Sequence, residues 1–187
     1  MLVKISKRMI IGFIVFLCVF MVSCSTQLQL ANMTVSQLPD NTEPFYKKLL
    51  VKKVVGEETS DTEKFFVGDR RINLFDLRKS ITTSISKTNL FELSDLENCD
   101  YILVPIVFKN TFTGLYTITT DLGILYKLVD KKSDKVIWES RIISTDTKSI
   151  SDAFVGAKRM RLVQEATLKE NSKKLINEMA KIKLPKE

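Results

Sequence analysis

The chain has 187 residues and a formal charge of +7, from 29 Lys and Arg against 22 Asp and Glu. It contains no histidine, which excludes Ser-His-Asp and Cys-His catalytic sites and removes the commonest metal ligand. Basic residues are interleaved with acids and form no dense block with aromatics, so no nucleic-acid partner is expected.

Lys4, Lys7 and Arg8 make a cationic start, and Met9 to Val22 is then a charge-free run of 14 residues. A membrane-crossing helix needs roughly 20 apolar residues, so the run is short for a transmembrane anchor. Met21-Val22-Ser23-Cys24 closes it with small residues before a cysteine. Positive, apolar, small, then a cleavage point is the order of a secretory signal. A cysteine placed directly there resembles the lipobox of bacterial lipoproteins, with Met21 where Leu is usual. The resemblance implies removal of residues 1–23 and acylation (palmitate among the chains) at Cys24. A plain signal cleaved without lipid is the other alternative. Removing the cationic start takes the charge from +7 to +4. On that implication Cys18 would leave with the signal and Cys24 would take lipid, so that of the three cysteines Cys99 is alone and no intrachain disulfide is expected.

Residues 24–44 read as the lipidated cysteine and a flexible tether, polar and broken by Pro39 and Pro44. Residues 25–43, fully extended, would reach on the order of 60–65 Å. Residues 45–187 read as one globular domain. Tyr46 to Val55 predicts a first strand ended by Gly56, followed by a polar loop over 57–71 with an apolar patch at Phe65-Phe66-Val67. Asn73 is placed to cap a helix in which Leu74, Leu77, Ile81 and Ile85 share a face, ending near Asn89. Leu90 to Leu93 reads as a short strand and Tyr101 to Phe108 as a longer one, at a sheet edge or bulged because it contains Pro105. From Thr117 to Asp130 the even-numbered residues Ile118, Thr120, Leu122, Ile124, Tyr126 and Leu128 alternate onto one face, the pattern of a half-buried strand. Lys131 to Asp134 is a turn, and Val136 to Ile143 returns antiparallel, with Trp138 expected in the core. A helical region is expected from Ser151-Asp152-Ala153, with Leu168, Ser172, Leu175, Ile176, Met179 and Ile182 as its stripe and Pro185 as its end. The expected fold class is α+β: an antiparallel sheet of about four to five strands with two helices on one face.

Chemistry is sparse. The glycines form no phosphate-binding loop, and Gly56, Gly68, Gly114 and Gly123 read as turn or bulge residues. Asp95 with Glu97, or Asp61 with Glu63, could serve acid–base work only if a cleft separated their pKa values; solvated loops are the plainer reading. Ser151 to Leu162 combines a cap signal, Phe154, Gly156 and basic residues. The plain reading is a helix start, capped by Ser151 or Asp152 and stapled by Phe154. The functional reading is a partner-binding surface of Phe154, Arg159 and Arg161, since a guanidinium fork holds a carboxylate at two points.

Taken together, Met21-Val22-Ser23-Cys24, the Tyr101–Phe108 strand, the hairpin from Leu125–Asp130 to Val136–Glu139 and the Ser151–Phe154 segment resemble small bacterial outer-membrane lipoproteins with a TolB-N-terminal-like or LpoB-like domain, a group largely uncharacterised. That resemblance implies a non-enzymatic, cofactor-free binding module, anchored by acyl chains and contacting a cell-envelope protein assembly. Ser25 stands where Asp would favour inner-membrane retention, so the implied location is the outer membrane with the domain facing the periplasm. The alternative function is a periplasmic carrier of an apolar ligand such as lipid. A hydrolase using exposed carboxylates is a third.

Overall fold

A strand buried on alternate residues needs a layer over one face, and the whole architecture follows from that requirement. The computed structural model describes residues 27–56 and 71–184. The signal, Cys24, Ser25, the loop with Phe65-Phe66-Val67, Gly68, the Asp61–Glu63 pair and Pro185 lie outside the described residues. The elements are α1 (Leu30–Met33), β1 (Lys48–Val51), β2 (Val55–Gly56), α2 (Leu74–Thr88), β3 (Glu92–Leu93), β4 (Tyr101–Thr113), β5 (Ile118–Asp130), β6 (Lys135–Lys148) and α3 (Gly156–Met179).

β5 carries the expected alternation: Ile118, Thr120, Leu122, Ile124, Tyr126 and Leu128 are all buried. It lies between β4 and β6 in a long antiparallel meander. The sheet order is β3-β1-β4-β5-β6, with β2 also paired to β4. β1 runs parallel to both β3 and β4, and β2 parallel to β4. The sheet is therefore mixed, not purely antiparallel. Among the described residues it has six strands, and three helices are present where two were expected.

Pro105 sits on an interior strand and not at an edge, and its strand carries a bulge, the other expectation, between Val107 and Lys109. A second irregularity lies on the neighbouring strand. Val51 pairs Leu103 and Val55 pairs Ile106, so the first strand spends one extra residue there. Leu103 accepts from Lys52 N (2.9 Å), so its polar groups face β1. Two residues on, Pro105 faces the same way and has no N–H to give. The expected single strand Tyr46–Val55 is thus broken into β1 and β2 opposite the proline.

α2 starts and stops as its sequence dictates. Asn73 Oδ1 accepts from Phe75 N (2.7 Å), and Asn89 closes the helix in the left-handed region at φ 54°. Leu77, Ile81 and Ile85 are buried against the sheet, and Leu74 packs partly buried at the edge of the same core. α3 lies beside it, burying Val163, Leu168, Leu175, Ile176 and Met179. Trp138 packs partly buried against the core, as expected. A hydrogen-bonded bridge joins sheet to helix: Tyr126 Oη donates to Asn171 Oδ1 (2.6 Å), whose Nδ2 donates to Ser144 Oγ (3.1 Å).

The stretch expected as a tether is docked on the helical layer. Met33 is 1 % exposed, and Leu28, Leu30 and Leu38 pack against the core. Met33 O accepts from Ser80 Oγ (2.5 Å), and Val35 N donates to Ser84 Oγ (3.1 Å). Gln29 N donates to Glu165 Oε1 (2.7 Å) and Asn32 Nδ2 to Glu165 Oε2 (2.9 Å).

Candidate functional site

The segment singled out in the sequence, Ser151 to Leu162, lies where β6 hands over to α3. Its residues do different work from that expected of a plain helix start. Asp152 does not cap α3; its Oδ2 accepts from Ser149 N (2.7 Å), which closes a turn and holds the carboxyl below its ordinary pKa. α3 begins at Gly156, after Val155, without a side-chain cap. Phe154 staples nothing and is 87 % exposed.

Arg159 is turned inward. It is 6 % exposed, and its guanidinium donates to three carbonyls: Nη1 to Ala153 O (2.7 Å) and Phe154 O (2.6 Å), Nη2 to Leu115 O (3.2 Å). The fork expected to grip a partner's carboxylate is instead a clamp inside the molecule. It ties the Ala153–Phe154 loop to the β4–β5 hairpin tip. Arg161 lies along α3 near Glu165, with Nε 3.7 Å from Oε1, and is largely covered. The structure therefore does not present Phe154, Arg159 and Arg161 as one exposed group.

What it presents is an apolar end that sequence reading missed. Leu115 and Tyr116 at the hairpin tip are 66 % and 70 % exposed, and Val155 is exposed beside Phe154. Gly114 shapes the tip at φ +90°; a Cβ there would come 1.9 Å from Thr117 O. The sequence signal was available in Gly114-Leu115-Tyr116, apolar side chains at a turn where polar ones are the rule.

A second surface is the sheet face opposite the helices. Asp121 joins three strands there. It accepts from Thr145 Oγ1 (2.6 Å), pairs with Lys109 Nζ (3.0 Å), and accepts from Thr111 Oγ1 (3.3 Å). These donors, Thr145 first, hold its pKa below the ordinary value. Beside it a bulge between Val107 and Lys109 lays the Phe108 ring over Gly123, with the Arg141 guanidinium 4.6 Å above the ring centroid. Ile143, paired with Gly123, and Val136 are about half exposed on this face (52 % and 51 %).

At the far end of the sheet an open cleft of about 340 Å³ is lined by Lys47, Cys99, Asp100, Tyr101, Asp130, Lys131 and Lys132. Its mixed charges do not suit an apolar ligand. Asp100 Oδ2 accepts from Lys48 N (2.8 Å), and Asp130 Oδ1 accepts from Ser133 N (2.9 Å), which lowers the Asp130 pKa. Cys99 is buried and unbridged, its Sγ 3.6 Å from Leu96 O. Asp95 is a turn residue: it accepts from Asn98 N and Glu97 N, and its pKa is lowered chiefly by the first of these. Among the described residues no helix is long and apolar enough to cross a membrane, and no cluster of three or more His, Cys, Asp or Glu is placed to hold a metal ion.

No family model matches the sequence, and no curated protein matches it. Solved structures do resemble the fold. A Xanthomonas campestris protein assigned to the DUF330 family superposes with a TM-score of 0.63 at 12% identity, covering 79% of this chain and 91% of its own. A hypothetical protein of Chlamydia trachomatis gives 0.50 at 7% identity, over 72% of this chain and 98% of its own. A minor lipoprotein of Acinetobacter baumannii gives 0.46 at 13% identity, over 72% and 93%. What the first two likenesses establish is a shared α+β architecture, a mostly antiparallel sheet with its helices on one side.

Proposed function

We propose that this chain is a lipid-anchored protein of the cell envelope that works by binding. The observation that carries the reading is the position of Cys24. It follows a charge-free run and small residues, and it stands four residues before Leu28, the first of the described residues whose side chain packs on the domain. Acyl chains on Cys24 would hold the folded domain against a bilayer, and two or more such chains make that stable. Ser25 supports the outer membrane, with the domain facing the periplasm. The TolB-N-terminal-like and LpoB-like resemblance supports an envelope protein assembly as partner. The open sheet face around Phe108, Arg141 and Ile143 is the surface offered for it, because it combines exposed apolar groups with a stacked guanidinium. The absence of histidine and the engagement of Asp95, Asp121, Asp130 and Asp152 in local hydrogen bonds support a non-catalytic role.

The test has two arms. Intact mass of the mature protein should show acyl chains on an N-terminal cysteine, lost with Cys24→Ala. A photo-crosslinking residue placed at Ile143 in growing cells should give one discrete adduct with an envelope protein. An unprocessed chain beginning at Met1 and recovered from the cytosol would defeat the anchor reading; a crosslinker that captures nothing would defeat the binding face.

A further inference from the structure

The path of the chain into the domain says which end meets the membrane. Met33 is held by Ser80, itself 3.0 Å from Ser172 on α3, whereas Gln29 is held by Glu165, seven residues earlier on that helix. Read backwards, the segment runs towards the N-terminus of α3. α2 gives the same direction. Met33 lies at Ser80, Val35 lies at Ser84 and Thr34 Oγ1 accepts from Lys87, so the earlier residues face the N-terminal end of α2. That end is beside the outer half of β4, because Asn110 and Ile72 exchange side-chain-to-backbone bonds. From Glu165 back to Gly156 is about 13–14 Å along the helix. Cys24 stands five residues before Gln29, a reach of up to about 17 Å. An anchor at Cys24 is therefore within reach of the end that displays Leu115, Tyr116, Phe154 and Val155.

We propose that this apolar end seats in the interfacial layer of the bilayer that holds the acyl chains of Cys24, with Arg159 locking its two loops into one platform. The inference rests on Cys24 as the lipid site. Four exposed apolar side chains on two loops, one an aromatic with a hydroxyl, suit a surface that is wet on one side and apolar on the other. A second copy of the chain would also cover apolar groups. The bilayer is favoured because Gln29 is fixed five residues from the anchor and leaves little chain to lift this end away.

The test uses the acylated protein in vesicles of phosphatidylethanolamine and phosphatidylglycerol, with and without lipids brominated near the headgroup. Leu115→Trp and Phe154→Trp each add one reporter, and the native Trp138 signal is subtracted. Leu96→Trp is the control, since Leu96 is exposed near the start of β4, about 40 Å along that strand from the tip. The expected result is a loss of about half or more of the added emission at positions 115 and 154, and none at 96. Equal quenching at all three positions, or none, overturns the seating. Emission at the tip that shifts with protein concentration and ignores brominated lipid assigns this end to a second copy and equally overturns it. Intact mass separates the two readings. Acylated protein without tip quenching keeps the anchor and loses the seating. Unacylated protein whose tip is still quenched by added vesicles keeps the seating and loses the anchor.

Discussion

Arg159 is the residue on which the apolar end depends. Three carbonyls converge on one guanidinium, which is 6 % exposed, and a charge held this way needs every partner. Arg159→Met keeps much of the volume but orphans the Ala153, Phe154 and Leu115 carbonyls. The expected loss is about 2–4 kcal/mol in chemical denaturation, with tip amides exchanging faster than the rest of β4 and β5. Tyr126 is a second buried donor, and burial alone pushes its phenol pKa well up, so it acts as a neutral hydroxyl. Tyr126→Phe leaves Asn171 Oδ1 without its partner and should cost about 1–2 kcal/mol. Asp121 acts with the opposite sign. Its pKa is lowered by Thr145, Lys109 and Thr111, so the folded state binds its proton more weakly than the unfolded one. Its stabilising contribution is complete above the ordinary aspartate pKa of about 3.9 and is lost as pH falls through the lowered value. Asp121→Asn should therefore be less stable at neutral pH, and the gap to the parent should narrow on acid titration.

At the scale of elements, the least expected one is the segment running through α1. Glu165 is 2 % exposed and receives two hydrogen bonds from this segment. Glu165→Ala should release residues 27–35 while leaving α2, α3 and the sheet folded. Limited proteolysis would then cut before Phe45 in the variant and not in the parent. The sequence hid this docking for a physical reason. Leu28, Leu30, Met33 and Leu38 occur at uneven intervals among Gln and Asn, so no helical or strand period gathers them; they fill a groove formed only once α2 and α3 lie together. By contrast β5 and α2 are set by local pattern, an unbroken alternation in one and a cap with a face in the other, and both were legible. The split of the first strand was half legible. Leu49, Val51 and Val54 are buried at spacings of two and then three, a phase slip that marks the extra residue facing Pro105. The parallel pairing of β1 with β3 and β4 was not legible, because it joins residues some 44 to 52 positions apart through no turn of its own. The candidate site failed in the same way. Arg159 reads as a surface cation from its neighbours in sequence, and only the return of Leu115 from a distant hairpin makes it a buried clamp.

For the whole molecule, under the anchor proposed at Cys24, the governing quantity is the length of chain between that residue and the domain. A free tether over residues 25–43 would make the domain a roving binder. With Gln29 fixed on Glu165, the proposed seating instead gives the domain an orientation, its apolar end toward the bilayer and its charged cleft away from it. The distinction has a measurable consequence. Inserting about ten Gly and Ser residues between Thr26 and Gln27 adds roughly 16–19 Å of root-mean-square reach and leaves the acyl anchor and the fold untouched. The local concentration of the tip at the bilayer then falls steeply with the added length. The protein should still float with vesicles through Cys24, while the quenching of Leu115→Trp by brominated lipid drops towards that of the Leu96→Trp control. Quenching that survives the insertion unchanged would mean that the tip holds the membrane by its own affinity, and tether length would then have no part in setting the orientation. A crosslinker at Ile143 reports the other half of the argument. If orientation serves partner binding, the inserted chain should lose its envelope adduct in parallel with the quenching, although Phe108, Arg141 and Ile143 are unaltered.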